Sequence, residues 1–571
     1  MFSWKKTILA LVIIVSMFNF GLAQSASQNN NTTSSKNTDT ATPTASTKGV
    51  NPTIGSYGGS NFDKVNLFNG NVSMSFPLAS LSSRGGMSAG VVLSYNSKLW
   101  YVDKQETRIG GAKNGSSSIA YVPIYNEYDD GQAQLAAGWT IGAGRMRARQ
   151  SARYLKPAQS ICFFDVPAGN VDPKPKTTLT TFSFTAPDGT EYDFRDTIYD
   201  GQPKELINCQ PVSRGKEFVS KDGTSATFIS DTEVVDSFFT DQISAPNGPF
   251  GYVYLRDGTR FRIERGLPVE QRDNNGNIVR YQYDGIRLIK VTDNMGRMID
   301  VTYGGGNGVL ATITIKGFGG AVRTTVVRGR KLSNHLATGQ AQLSIDQLFP
   351  VETVQLSSPN STFNPKVVSE VTLPDGHKWE FQYNSYGEVV YVKTPARGVV
   401  TYDMGPTPNS PKKGGYDEVN NQIFRRVTNR QTFPSDSGPV EGKVTYTDPS
   451  DPARIDADNN VTVVEEEVNP SSGDSMITRT RHKFSSNPNQ GISGNGVAGT
   501  GYRRWLAGKE LETEQINFGG GVMRRSTNLY EQESGVNWIA GASSTTLEQP
   551  ENNPRLVKVT SQLLDGGNKT S

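Results

Sequence analysis

A chain of 571 residues is too long for one ordinary hydrophobic core, so its length points to several domains or to a repeat array. Its 59 glycines and 30 prolines, with only 35% hydrophobic residues, describe many turns between short strands; a helical bundle is excluded, since no long 3.6-residue apolar periodicity follows the extreme N-terminus. The net charge of +3 comes from 58 basic and 55 acidic side chains that are interspersed, without the clustered basic stripe that phosphate binding demands, so no nucleic-acid partner is expected.

Residues 1–23 read as a signal peptide: Lys5 and Lys6 precede an apolar run from Ile8 to Phe20, and Gly21-Leu22-Ala23 offers small residues for cleavage after Ala23. The alternative is an uncleaved N-terminal anchor. Either places the bulk of the protein outside the cytoplasm, secreted or at the cell surface; with cleavage the chain meets a membrane only during export. Residues 24–50 form a Ser/Thr/Asn-rich spacer that buries too little apolar surface to offset its ordering entropy and is expected to be disordered.

Residues 51–270 are expected to be a β-rich N-terminal region. Val65-Asn66-Leu67-Phe68 and Val72 to Phe76 flank Asn69-Gly70-Asn71, the pattern of a hairpin. Val91 to Tyr95 is a further strand, closed by Trp100-Tyr101, which look exposed. Residues 103–137 are weakly patterned and read as an insertion or long loop, before the glycine-punctuated run Gly138-Trp139-Thr140-Ile141-Gly142. Cys162 and Cys209 suit a disulfide in an oxidising compartment, where closing a loop of that length contributes about 4 kcal/mol in the chain-entropy model; spacing alone does not decide between a bridge and two thiols.

Asp-Gly turns ahead of strands with alternating aromatic or aliphatic residues recur at Asp188-Gly189, Asp222-Gly223, Asp257-Gly258 and Asp375-Gly376. One such unit cannot bury its apolar face alone, whereas neighbours laid side by side make a continuous sheet. Within residues 271–571, expected to be a repeat region and an incomplete one, Asp273 to Tyr303 reads as a meander. Val279, Tyr281 and Tyr283 share one face, Ile289 and Val291 continue the alternation, and Ile299, Val301 and Tyr303 complete it. Further on, Trp379, Phe381 and Tyr383 line one face. Residues 403–420 and 485–501 read as surface loops.

At Gly276-Asn277, Tyr281-Gln282-Tyr283-Asp284, Arg287-Leu288 and Asp293 the sequence resembles the YD repeat of Rhs-type proteins. The family's Gly before Arg287 is displaced to Gly285, and a second copy ends at Tyr303-Gly304 where Asp is expected. Leu67 to Asn71 with Pro77-Leu78, Ser94 to Ser97 and Gly138-Trp139 also resemble the segment that precedes these repeats. The resemblance implies an all-β Rhs/YD-repeat sheet spiralling toward a shell, and a structural, non-enzymatic role in toxin delivery or surface contact. A toxin cargo, other subunits of an Rhs-type assembly, or surface glycans would be the partners. No segment resembling the family's C-terminal processing core, and no effector domain after it, is found.

Candidate chemistry is sparse. The histidines His335, His377 and His482 stand in unrelated contexts, and His377 after its Asp-Gly turn is expected to face solvent. No metal or nucleophile motif has supporting context, so no catalytic residue, metal or cofactor is assigned. Asp456 to Asn460 with Glu467 has the oxygens of a calcium loop, but Val461 stands where the loop's turn requires glycine; a polar turn leading into a strand at Val461–Val464 is the better account. Tyr281, Tyr283, Trp379 and Phe381 read as sheet-packing residues in preference to sugar-stacking ones. A carbohydrate-binding adhesin, with contacts from 103–137 or 403–420, is the alternative function; a polysaccharide-active enzyme is the third.

Overall fold

The computed structural model describes residues 56–58, 62–82, 88–108, 117–125, 128–129, 132–133, 135–151, 178–187, 191–199, 212–220, 224–236, 249–349, 362–406, 416–417, 422–423, 425–447, 459–472, 475–485, 509–517, 519–531, 555–564 and 569–570. The signal peptide, the spacer, both cysteines and residues 486–501 lie outside them. The described chain is nearly all β, as expected. Its main element is a ribbon of 25 strands running from Arg145–Ser151 to Lys569–Thr570, each hydrogen-bonded antiparallel to the strand before it and the strand after it. One excursion interrupts the order: a short hairpin, Tyr416–Asp417 with Gln422–Ile423, sits between the paired strands Val399–Pro406 and Arg425–Phe433. The boundary expected between 270 and 271 falls inside one strand of this ribbon, Leu267–Arg272, which pairs with Ile278–Asp284.

Side-chain alternation explains the two faces. Tyr281, Val291 and Ile299 lie opposite one another on successive strands and are all buried, while Arg280, Lys290 and Asp300 point the other way, with Lys290 and Asp300 3.1 Å apart. The meander departs from simple alternation at one place. Gln282 opposes Lys290 while Tyr283 opposes Leu288, so Ile289 is the extra residue of a β-bulge; Leu288 and Val291 are the buried pair, where alternation had put Ile289 and Val291.

The first eight strands of the ribbon curl until the first meets the last: the Met146 N–H donates to the Gly266 carbonyl at 2.7 Å. They enclose a phenylalanine core, in which Phe182 packs edge-on against Phe218 and Phe228 at 4.7 and 5.2 Å and Phe184 meets Phe261 at 5.1 Å. From Ile278–Asp284 to Met476–Ser485 the buried face is covered instead by a second sheet of five strands, Ser56–Gly58, Asp63–Asn66, Val72–Ser82, Ser88–Asn96 and Trp139–Gly142. This inner sheet and the ribbon share one apolar core. At its centre Phe76 packs against Trp379 and Phe381 at 4.8 and 5.3 Å, and Trp139 against Tyr95 and Phe381 at 4.8 Å each. Burying each such ring contributes on the order of 2 kcal/mol.

Two expectations for the N-terminal region are corrected. Residues 103–137 are not a plain loop, since Trp100–Arg108 and Ser117–Tyr125 pair as a regular hairpin. Trp100 is buried: its ring lies 4.6 Å from Phe363 and 5.0 Å from Phe349, and its Nε1–H donates to the Tyr386 carbonyl. The contacts come from residues hundreds of positions downstream, which local pattern cannot reveal.

Candidate functional site

The sequence-selected repeat residues build the ribbon's turns and bulges. Asp273 opens a five-residue turn: its Oδ1 accepts the N–H groups of Asn275 and Asn277, its Oδ2 accepts the Asn277 amide, and Gly276 supplies the positive φ of 81° at the fourth position. Asp293 does the same one hairpin later, accepting from Met295 and Arg297 N–H and from Arg297 Nε at 2.7 Å. Asn384 repeats it with Tyr386 and Glu388. The closing Asp of the YD pattern is therefore the opening clamp of the next turn. Asp284 and Arg287 end their hairpin as a cross-strand pair, and the Arg287 guanidinium lies 5.5 Å from the Tyr303 ring.

The tyrosines have a specific job. Tyr283 donates its hydroxyl to the Pro268 carbonyl, Tyr303 to the Leu288 carbonyl and Tyr383 to the Val368 carbonyl, each acceptor 15 residues earlier. In all three cases the acceptor residue stands immediately before the extra residue of a bulge in the neighbouring strand, at Val269, Ile289 and Ser369. The hydroxyl thus reaches a carbonyl beside the place where the ladder is out of step. Tyr281 instead donates to Gln271 Oε1 at 2.9 Å. Burial pushes the phenols of Tyr281 and Tyr283 well up and that of Tyr303 up to about 12, so all three remain protonated donors at neutral pH. Trp379 and Phe381 lie in the core shared with the inner sheet, and His377 is exposed beside Asp375. Val461–Val464 lies in the strand Asn459–Val468.

The seam between inner sheet and ribbon is the chemically dense region, and sequence reasoning missed it. Asp63 accepts from Arg430 Nε and Nη2 at 2.6 and 3.2 Å and from the Tyr402 hydroxyl at 2.6 Å, with all three side chains buried. Burial, then the neighbouring Asp63 carboxylate, raises the Tyr402 phenol well above its ordinary range. Beside the seam, a second lock lies within the ribbon and joins Glu388 to Arg425 through two hydrogen bonds of 2.9 and 2.8 Å, with Asn384 Nδ2 also donating to Glu388 and the guanidinium 3.5 Å from the Tyr386 ring. Lys98 Nζ donates to the carbonyls of Arg425 and Asn69, one on each side of the seam. Its pKa is pushed down to about 7, first by burial; Glu388 opposes that shift, and Arg426 and Arg425 add to it. Neutral bridges complete the contact: Trp139 Nε1–H to the Tyr383 hydroxyl, Thr325 Oγ1 to the Leu78 carbonyl, and Thr462 Oγ1 to the Leu67 carbonyl.

No local signal in the sequence pointed that way. Arg430 lies directly across the ladder from Tyr402 and so occupies an inward position in its strand, where a charge needs a buried partner. That partner sits 367 positions away. The arrangement binds one sheet to another; among the described residues no group of three or more metal-ligating side chains converges.

No protein-family model matches the chain, and no curated protein matches it. Among solved structures it is similar to the crystal structure of TcdB2-TccC3-TEV at 10% identity with a TM-score of 0.18, over 88% of this chain and 23% of that one. It is similar to TcdB2-TccC3 at 10% identity and a TM-score of 0.17, over 90% and 24%. The N-terminal domain of effector protein SpvB from Salmonella typhimurium strain LT2 matches at 10% identity and a TM-score of 0.12, over 86% and 98%. The chain spans less than a quarter of the length of the first two.

Proposed function

We propose that this chain is a structural wall: a section of an Rhs/YD-type shell that is exported and acts without catalysis. The observation that carries the reading is the sequential order of 25 antiparallel strands, interrupted by one short hairpin, packed on a five-stranded inner sheet and tied to it by the buried Asp63–Arg430 pair. Buried charge pairs that hold the ribbon together and to the inner sheet, with tyrosine hydroxyls bonded beside bulges, serve rigidity and enclosure. The YD resemblance extends the reading to a toxin-delivery or contact system, in which a cargo or further subunits of the same assembly complete the enclosure.

The experiment is single-particle electron microscopy of the purified full chain, together with assays of its culture medium and membranes after expression with the native N-terminus. A curved, thin-walled particle released from the cytoplasm is expected. A string of separate globular beads, retention in the cytoplasm, or hydrolysis of polysaccharides by the purified chain overturns the reading.

A further inference from the structure

The outer face of the strands Thr227–Asp236, Gly251–Tyr254, Arg260–Glu264 and Leu267–Arg272 carries features that the packing of the fold does not use. Elsewhere on this face, charges are matched across strands. Arg262 donates to both oxygens of Asp231 at 2.7 Å each, and Arg280 lies 3.3 Å from Glu270. Arg260 and Arg272 break the rule. They stand directly opposite each other in the ladder, and among the described residues neither forms an ion pair with a carboxylate. Like charges directly opposite destabilise a sheet, so this pair carries a cost that no ion pair offsets.

Beside the pair lies an exposed apolar and aromatic strip. Tyr254 faces Arg260 across the ladder and Tyr252 faces Arg262, with the two phenol rings 6.2 Å apart and the guanidinium groups of Arg260 and Arg262 at 5.5 and 4.9 Å from the Tyr252 ring. Ile229, opposite Tyr252, is 42% exposed, Phe250 41% and Tyr254 38%. Exposed aromatic rings on a sheet's outer face present the surface on which the CH faces of pyranose rings pack, and guanidinium groups beside them supply paired donors of the geometry that carboxylate or sulfate accepts.

We propose that this face binds an acidic polysaccharide, a glycan bearing uronate or sulfate groups, with a sugar ring on Tyr254 and its anionic substituent between Arg260 and Arg272. Charge complementarity selects this occupant. A sugar ring with an anionic substituent matches the two parts of the site, an exposed phenol ring and a guanidinium couple without a carboxylate partner, and a polynucleotide is the competing occupant that the test separates. The surface is distinct from the seam, and its argument does not depend on the chain being a shell.

The test titrates the full chain by calorimetry with a heparin-derived oligosaccharide, an oligogalacturonate, neutral maltoheptaose and a single-stranded oligonucleotide of matched charge. One or both acidic glycans bind, with affinity falling as salt rises, and maltoheptaose does not. Arg272→Glu weakens glycan binding by about tenfold or more while the melting temperature stays level or rises, because it places a carboxylate opposite Arg260. Tyr254→Ala weakens binding and leaves the salt dependence unchanged. Absence of acidic-glycan binding, unchanged affinity in Arg272→Glu or in Tyr254→Ala, or tighter binding of the oligonucleotide overturns the proposal.

Discussion

Asp63 and Arg430 meet at 2.6 Å, 367 positions apart, with the Asp63 side chain fully buried and that of Arg430 nearly so. The pair joins the second strand of the inner sheet to the ribbon, and Tyr402 completes it. Removing one member leaves an uncompensated buried charge, which costs about 3–5 kcal/mol. Asp63→Ala should therefore lower the free energy of unfolding in urea by that amount. The double variant Asp63→Leu with Arg430→Met should recover most of it, because two apolar groups of similar volume leave no charge unmet. A cost near zero in the single variant would show that the seam is open to water.

Tyr383 accepts from Trp139 and donates to the Val368 carbonyl, so Tyr383→Phe strands two buried polar groups at once. A loss of about 2–4 kcal/mol is expected. Tyr303→Phe strands only the Leu288 carbonyl at a partly exposed position and should cost about 1 kcal/mol. Thermal melts of the two variants side by side check the ranking.

Gly70 lies in the turn between Asp63–Asn66 and Val72–Ser82 with φ +65°, and a Cβ there would lie 2.1 Å from Arg426 Cβ while the Gly70 carbonyl accepts from the Val427 N–H. Gly70→Ala must push the two sheets apart and is expected to be among the most damaging single substitutions in the chain. Gly296 has φ +75° with nothing within 4 Å of its Cβ position, so Gly296→Ala carries backbone strain alone, about 1 kcal/mol. Comparable losses in the two variants would contradict the close approach at the seam.

Lys98 provides a pH dependence with a definite sign. Its folded-state pKa is pushed down to about 7 against an ordinary 10.5, so between these values the unfolded chain binds the extra proton and the folded chain does not. Its contribution to stability therefore rises as pH climbs from 7 toward 10 and is lost as pH falls through 7. The neutral amine still has two N–H donors for the Arg425 and Asn69 carbonyls. Above pH 10 the gain reverses, because Tyr281, Tyr303 and Tyr402 are raised and only the unfolded chain releases those protons. Urea unfolding at pH 7 and pH 9 should show the rise in the parent chain and its loss in Lys98→Met.

The all-β class, the Asn69-Gly70-Asn71 hairpin and the inward set of the meander were legible because they rest on period-two alternation and on Asx-Gly turns, which are local. Bulges were not. At Gln282 and Tyr283, and again at Gln382 and Tyr383, one extra residue shifts the alternation, burying Leu288 in place of Ile289 and turning Tyr391 outward while Val392 faces in. The inner sheet's docking was illegible for a different reason. The pairs Asp63–Arg430, Trp100–Tyr386 and Trp139–Tyr383 are contacts between distant segments, and each residue alone reads as an ordinary strand position.

The central claim, that the N-terminal sheet and the ribbon form one structure, is tested most directly by native-state hydrogen exchange read residue by residue. The amides of Val72–Ser82 should exchange with the same opening free energy as those of Val399–Pro406 and Arg425–Phe433, and in Asp63→Ala all three should fall together. Exchange from Val72–Ser82 that is orders of magnitude faster than from the ribbon strands, or a fall confined to the inner sheet, would contradict it.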